Sequence, residues 1–468
     1  MPAAVRALVG LRSQDLGVCS RMFAYFFLVI ASFWILKPLK KGLFVAYYDE
    51  RSLELLGYSL GVAQAELVCK VGNVGVALLA TLSFAALSRR CGRDRLTLIF
   101  ASFFVLCFAS YANALVRPSP ALIWSFYLLG DLYGTLMVAT FFVFLSDLMT
   151  PGMAKRTYGF VGLGGVLGGI FGSVVLRMWI DALSLSHWLW VCCATTAAIA
   201  AIARSTAVAE PVRSCSEDAD AGSRVRGAAG EPVDAIEARA ATETPAGSSL
   251  LEGGFMVARS PYLRAIVGIV ALYEMVSTIM DFQFTSTLSH YLSGQAEIHK
   301  QLATVYTLTN SLSAFVQLFL TGYVLRRYGV AVALSVLCFS TLTGSSAFAA
   351  MPVLWVGSLL NTADNAFSYS IHQSAKESLY VATTRDEKYK AKAFIDIFGQ
   401  RVAKAIAVVV SLGLTIHVTE FSSVRWLSLL SVGLSLALLM LARYAGRCFD
   451  GLAAGRDSVL GARACLGS

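Results

Sequence analysis

Ala375 to Lys404 reads AKESLYVATTRDEKYKAKAFIDIFGQRVAK, with ionisable residues set between and inside two long apolar runs. Lys376 and Glu377 stand at the end of the first run. Arg385, Lys388, Lys390 and Lys392 form a basic hinge, and Asp396, Arg401 and Lys404 enter the second run. An ionisable group inside an apolar span is costly, so it faces a water-filled path or an opposite charge. Arginine offers a planar fork and lysine a mobile point charge, and both suit the oxygens of an anion. Attracting and positioning an anion is the chemistry this stretch could do.

Other charged groups sit in apolar surroundings. In FWILKPLKKGLF, Lys37, Lys40 and Lys41 are spaced i, i+3, i+4 and should share a helix face. They could form a cationic wall or reach out to the outer interface. Pro38 is expected to break or kink the helix, and Trp34 to stack on a base or anchor at the interface. Asp131 lies deep in a later run, where a lone carboxylate costs about 2.5–3.5 kcal/mol. It should be paired with a lysine, protonated or hydrated. Glu274 and Asp281 are two turns apart on one face, with Ser277, Thr278 and Thr285 making that helix partly polar. Asn361, Asp364, Asn365, Ser368, His372 and Lys376 form a stripe down one helix face, expected to line an aqueous path. Gly164, Gly168 and Gly172 recur every four residues and predict close helix packing, not a phosphate loop.

The elements that must position these groups are membrane helices. The chain has 468 residues, 57% hydrophobic and 14% charged, against roughly 25% charged in soluble domains. Runs of about 20 apolar residues mark spans. They fall at 20–39, 63–88, 96–116, 121–148, 159–182, 186–204, 262–291, 302–325, 331–350, 353–380, 391–416 and 422–443. This predicts an all-α integral membrane protein of about twelve transmembrane helices in two six-helix halves. The halves are 1–204 and 255–445, joined by a disordered cytoplasmic linker at 205–254 and followed by a cytoplasmic tail at 446–468.

Basic residues cluster in alternate loops: Arg89, Arg90, Arg93 and Arg95; Lys155 and Arg156; Arg326 and Arg327; and the hinge. The positive-inside rule then places both termini and the linker in the cytoplasm, and the inner membrane of the cell is the expected location. The same rule accounts for the net charge of +9 without nucleic acid as a partner. The ten cysteines show no metal or CxxC spacing and read as small core residues. No cleavable signal peptide is expected, because lysines follow the first apolar run. No HExxH, GxSxG or Walker motif occurs, so neither an enzyme nor a cofactor or metal site is expected.

An offset of 237 residues separates Arg89 from Arg326 and Lys155 from Lys392. Two parallel six-helix repeats of this kind resemble the layout of the major facilitator fold, with its substrate site near the midplane. KESLY followed by KYKAKAFIDIFGQRVAK resembles the signature of the ATP/ADP translocase family of intracellular bacteria and plastids. The matching positions are Lys376, Glu377, Tyr380, Lys388, Lys390, Lys392, Ile395, Asp396, Gly399, Arg401 and Lys404. AKRTYGFVGLGG at 154–165 and ILKPLKKGLFV at 35–45 are similar to further segments of that family, the second with Lys37 and Lys40 at its basic positions. Pro38 and Lys41 stand where the family has acids. Asn365 and Ser368 stand where it has lysines, and Gln373-Ser374 where it has Asp-Pro. Asp281 stands where it has a glutamate, and Thr285 where a lysine follows.

The resemblance implies a nucleotide transporter, working by ATP/ADP exchange or proton symport through rocking of its halves. The substrate would be a small anion held by Lys37, Lys40, Lys41, Asp364, Asn365, His372, Lys376, Glu377, Arg401 and Lys404. Asp131, Asp281 and Asp396 would hold those cations apart or carry a proton. A monomer in the lipid bilayer is expected. Transport of another organic anion and a non-transporting scaffold or sensor are the alternatives, and the polar stripe speaks against the latter.

Overall fold

The computed structural model describes residues 16–49, 51–55, 57–88, 91–148, 151–209, 246–380, 383, 391–395, 399–415 and 421–466. These are almost entirely helical. Nine helices among them are long and apolar enough to cross a membrane. One of these, Gln295–Ala350, contains two of the expected spans and changes direction at Gly329, whose φ of 80° suits a residue without Cβ.

The chain divides into two compact units, Met1–Lys41 with Gly75–Pro245 and Gly42–Val74 with Ala246–Ser468. Helix α1 (Leu16–Asp49) and helix α2 (Val62–Ser88) each contribute to both. Helix α1 runs without interruption through Pro38 and ends ten residues beyond the expected boundary at 39. The expected break at Pro38 is therefore absent. A short antiparallel hairpin, β1 (Leu53–Leu55) and β2 (Tyr58–Leu60), joins α1 to α2, with Gly57 at φ 82° in its turn. Three-residue strands lie below what span-length hydropathy can detect.

The first unit also contains α3 (Arg93–Ala114), α4 (Pro120–Leu148), α5 (Pro151–Trp179) and α6 (Leu185–Ala209). Its aromatic core stacks Phe26 on Phe141, sets Tyr25 against Phe141 and Phe144, and packs Tyr133 on Phe104 and Phe108. The glycine stripe of α5 does what its spacing predicts. A Cβ on Gly164, Gly168 or Gly172 would stand 2.7, 2.4 or 2.4 Å from the carbonyl oxygen of Phe23, Phe27 or Ala31 on α1. Backbone meets backbone there.

The second unit holds α7 (Ala246–Arg259), α8 (Pro261–Tyr291) and α9 (Gln295–Phe315). A π-helical turn (Val316–Thr321) leads into α10 (Gly322–Ala350). Next come α11 (Leu354–Phe367), a second π-helical turn (Ser368–His372) and α12 (Gln373–Leu379). The short α13 (Lys392–Phe394), α14 (Gln400–Thr415) and α15 (Leu427–Leu466) complete it. Helix α8 opens on Ser260, whose side chain accepts from the Leu263 amide, followed at once by Pro261. It is the centre of this unit, packed against α11, α14 and α15. The expected linker at 205–254 is helical at both edges, through Ala209 and from Ala246. Residues 210–245 lie outside the described residues. The expected tail continues α15 to Leu466.

Candidate functional site

The residues singled out above fall into two groups, one in each unit. In the first unit, Lys40 is 4% exposed and forms an ion pair with Asp131 of α4. Its ammonium also lies 4.6 Å from the ring centroid of Tyr127. Its aliphatic stem crosses α4 at Gly130, where a Cβ would come within 2.5 Å of Lys40 Cδ. The deep carboxylate thus has a lysine partner, and the glycine is what lets that lysine lie flat. The three lysines of α1 sit in different settings. Lys37 is half-buried over the Trp34 ring at 4.6 Å, while Lys40 and Lys41 are both buried. Trp34 is itself buried, so it is not an interfacial anchor. Pro38 leaves the helix continuous, and the tryptophan one turn back serves as a platform for Lys37.

In the second unit, the polar face of α8 is the hub. Asp281 is ion-paired with Lys70 of α2 and accepts a hydrogen bond from Asn361 Nδ2 at 3.2 Å. Asn361 in turn accepts from Asn365 Nδ2, at its carbonyl (2.8 Å) and its side-chain oxygen (3.2 Å). Lys70 also lies 3.5 Å from Glu66, which accepts a 2.6 Å hydrogen bond from Thr285. One turn before Asp281, Ser277 donates to Asp364 Oδ2 at 2.7 Å. At the other end Glu274 is 3.3 Å from Lys404 of α14.

The stripe on α11 therefore faces α8, as one continuous polar seam. Its upper part is closed: Asn361 and Asp364 are buried in these bonds. The expectation of an open aqueous path fails there, because α8 supplies a partner for nearly every polar group. Lower down the seam opens. A cavity of about 230 Å³ is lined by Tyr273, Glu274, Ser368, Tyr369, His372, Gln373, Lys376 and Gln400, with Val270. The π-helical turn carries Ser368 and His372 into it. A wider turn of this kind shifts the helix register and is common at functional positions. The His372 ring rests 5.0 Å from that of Tyr273, and its Nδ1 is buried without a hydrogen-bond partner among the described residues.

Lys376 is buried at this cavity, and the adjacent Glu377 turns away to Lys392 at 2.6 Å. Arg401 of α14 donates to the Val74 carbonyl at 3.5 Å. Asp396 and the basic residues Arg385, Lys388 and Lys390 lie outside the described residues. Two residues of the seam escaped the sequence reading: Glu66 and Lys70. Their signal was a Glu–Lys pair at i, i+4 inside an apolar span, which reads as self-neutralising until Asp281 is seen beside it.

No group of acidic, histidine or cysteine side chains among the described residues could hold a metal ion. Each unit instead has cations beside aromatic faces, with carboxylates that hold cations in place. The Major Facilitator Superfamily model matches residues 16–378. This chain belongs to the Major Facilitator Superfamily. Solved structures of the superfamily's transporter fold align over nearly the whole chain. The nucleoside transporter NupG, in a point-mutant form, gives a TM-score of 0.63 at 12% identity, covering 91% of this chain and 99% of that one. A D-xylose-proton symporter gives 0.61 at 11% identity, covering 91% and 97%.

Curated relatives at higher identity are shorter matches. ADP,ATP carrier protein 1 of Chlamydia muridarum is 25% identical over 205 residues, 38% of this chain and 39% of that one. ADP,ATP carrier protein 2 of Chlamydia trachomatis serovar D is 27% identical over 205 residues, 39% and 37%. A chloroplastic ADP,ATP carrier of Arabidopsis thaliana is 26% identical over 166 residues, 31% and 27%. The chain spans under two-fifths of the length of these curated relatives. The facilitator fold and its multi-pass helices thus agree with the sequence expectation, and the relatives agree with the resemblance as that of a divergent member.

Proposed function

We propose that this facilitator moves a nucleotide across the inner membrane of the cell by alternating access, with both termini in the cytoplasm and as a monomer. The observation that carries the reading is Lys376: a buried ammonium at an aromatic-lined cavity, within the KESLY segment that resembles the ATP/ADP translocase signature. The ADP,ATP carriers among the relatives support the same substrate class. Lys376, Arg401 and Lys404 would meet phosphate oxygens, and Tyr273 and His372 offer ring faces to a base. Lys37, Lys40 and Lys41 are further cations of the first unit that suit an anion. Glu274, Asp281 and Asp131 keep Lys404, Lys70 and Lys40 in place when no anion is bound.

A second reading, transport of another organic anion, draws on Asn365 and Ser368. They stand where the translocases have lysines, and Asn365 is engaged with Asn361. Equilibrium binding of labelled ATP to the purified protein separates the two. Saturable binding displaced by ADP and not by a dicarboxylate of equal charge is expected. Displacement by the dicarboxylate, or no ATP binding, would favour the second reading.

A further inference from the structure

Helix α15 carries a stripe that lies outside the lining of the cavity at Lys376. Leu436, Met440, Arg443, Tyr444 and Arg447 are all exposed, at steps of four, three, one and three, which is one face of a helix. The face changes character along its length. Leu436 and Met440 are apolar, Met440 being 70% exposed, and the two arginines follow one to two turns further on. The opposite face holds Leu438, Ala442 and Ala445, buried in the core of the second unit.

Two close approaches bring arginines of neighbouring helices to the same level. A Cβ on Gly446 would overlap Ala331 of α10, and a Cβ on Gly268 of α8 would overlap the tip of Leu441. Arg326 and Arg327 are exposed and precede Ala331 by five and four residues. Arg264 is exposed one turn before Gly268, and its charge reaches the Tyr444 hydroxyl. On α10, exposed Val332 and Phe339 continue the apolar ground beyond the arginines. Asp450, one turn past Arg447, leaves these arginines in excess.

Topology asks only for positive charge in a loop. It does not ask for arginines on one helix face in line with exposed apolar residues, nor for arginines of three helices at one level. A guanidinium offers a phosphate two parallel hydrogen bonds. Exposed apolar side chains on adjoining helices suit acyl chains, and a tyrosine at the boundary suits a place apolar at one end and wet at the other. We infer that this end of α8, α10 and α15 binds an anionic phospholipid, with the phosphate on the arginines and the chains along Leu436, Met440 and Phe339. The inference stands apart from the nucleotide reading and holds whatever the substrate. At the end read as cytoplasmic, the anionic lipids of the inner leaflet supply the ligand. Bound there, the lipid joins α10 and α15 to α8, the centre of the unit.

Native mass spectrometry of the purified full-length protein tests this, with phosphatidylglycerol or phosphatidylcholine added to the detergent. The wild type should retain phosphatidylglycerol in preference. Arg443→Gln with Arg447→Gln should weaken that retention about 25-fold and Arg264→Gln about fivefold, at roughly fivefold per arginine. Arg95→Gln, at the start of α3, should leave it unchanged. Phosphatidylglycerol should also raise the melting temperature of the wild type and not of the double variant, and inorganic phosphate should raise neither. Equal retention of the two lipids, an equal loss on Arg95→Gln, or stabilisation by inorganic phosphate as large as by the lipid overturns the inference. If the double variant fails to fold, Arg264→Gln set against Arg95→Gln carries the test.

Discussion

Lys70 and Asp281 form an ion pair that ties α2 to the centre of α8. Each side chain is about a quarter exposed, at 23% and 26%, and each has a second partner, Glu66 and Asn361. Removing Lys70 leaves two carboxylates, Asp281 and Glu66, without the ammonium that both face. Lys70→Met should lower stability by on the order of 1–3 kcal/mol, since charged groups stripped of a partner in partial burial keep their desolvation cost. Lys70→Met combined with Asp281→Leu should recover part of that loss. Thermal unfolding in detergent checks both, and equal destabilisation by the single and double variants would show the pair to be idle.

The glycines of α5 give a sharper contrast. Gly172→Ala would drive a methyl group to 2.4 Å from the Ala31 carbonyl oxygen, which is backbone and cannot turn aside. The helices must separate, at a cost of about 1–3 kcal/mol. Gly162→Ala meets nothing within 4 Å, and a change within about 0.5 kcal/mol is expected. Melting temperatures of the two variants measured side by side decide this.

Gly130→Ala is expected to act on function more than on stability. The methyl group would meet Lys40 Cδ at 2.5 Å, and a lysine stem can yield where a backbone cannot. The ammonium then leaves Asp131, with which it is now paired. Labelled ATP should bind several-fold more weakly, with a smaller loss of melting temperature than Gly172→Ala gives. Unchanged affinity would remove Lys40 from the anion path.

These cases show what the chain reveals of itself and what it hides. Hydropathy places the spans because lipid demands them at fixed length, and the α5 stripe works because small residues at spacing four leave one reading. The lysine partner of Asp131 was foreseeable, since a deep carboxylate has few other options. The continuity of α1 through Pro38 was not: a proline removes one donor, and the neighbouring packing decides whether the helix bends. The interfacial reading of Trp34 failed because an aromatic near a helix end looks the same whether it faces lipid or carries a lysine. Glu66 and Lys70 were missed because a local pair conceals its long-range partner. The π-helical turn at Ser368–His372, which opens the seam into a cavity, leaves no mark in residue spacing.

Neutralising Lys376 and Arg401 together, as Lys376→Gln with Arg401→Gln, should weaken ATP binding at least about tenfold, close to 1.4 kcal/mol. Lys392→Gln serves as the comparison, because Lys392 is spent on Glu377. Titration of labelled ATP into the three proteins reads the difference. Intact affinity in the double variant would overturn the assignment of the site.

Uptake of labelled ATP into liposomes holding the purified protein tests the central claim most directly. The account predicts saturable uptake, either in exchange for ADP inside or under an inward proton gradient. Folded protein that takes up no ATP under either condition would contradict nucleotide transport.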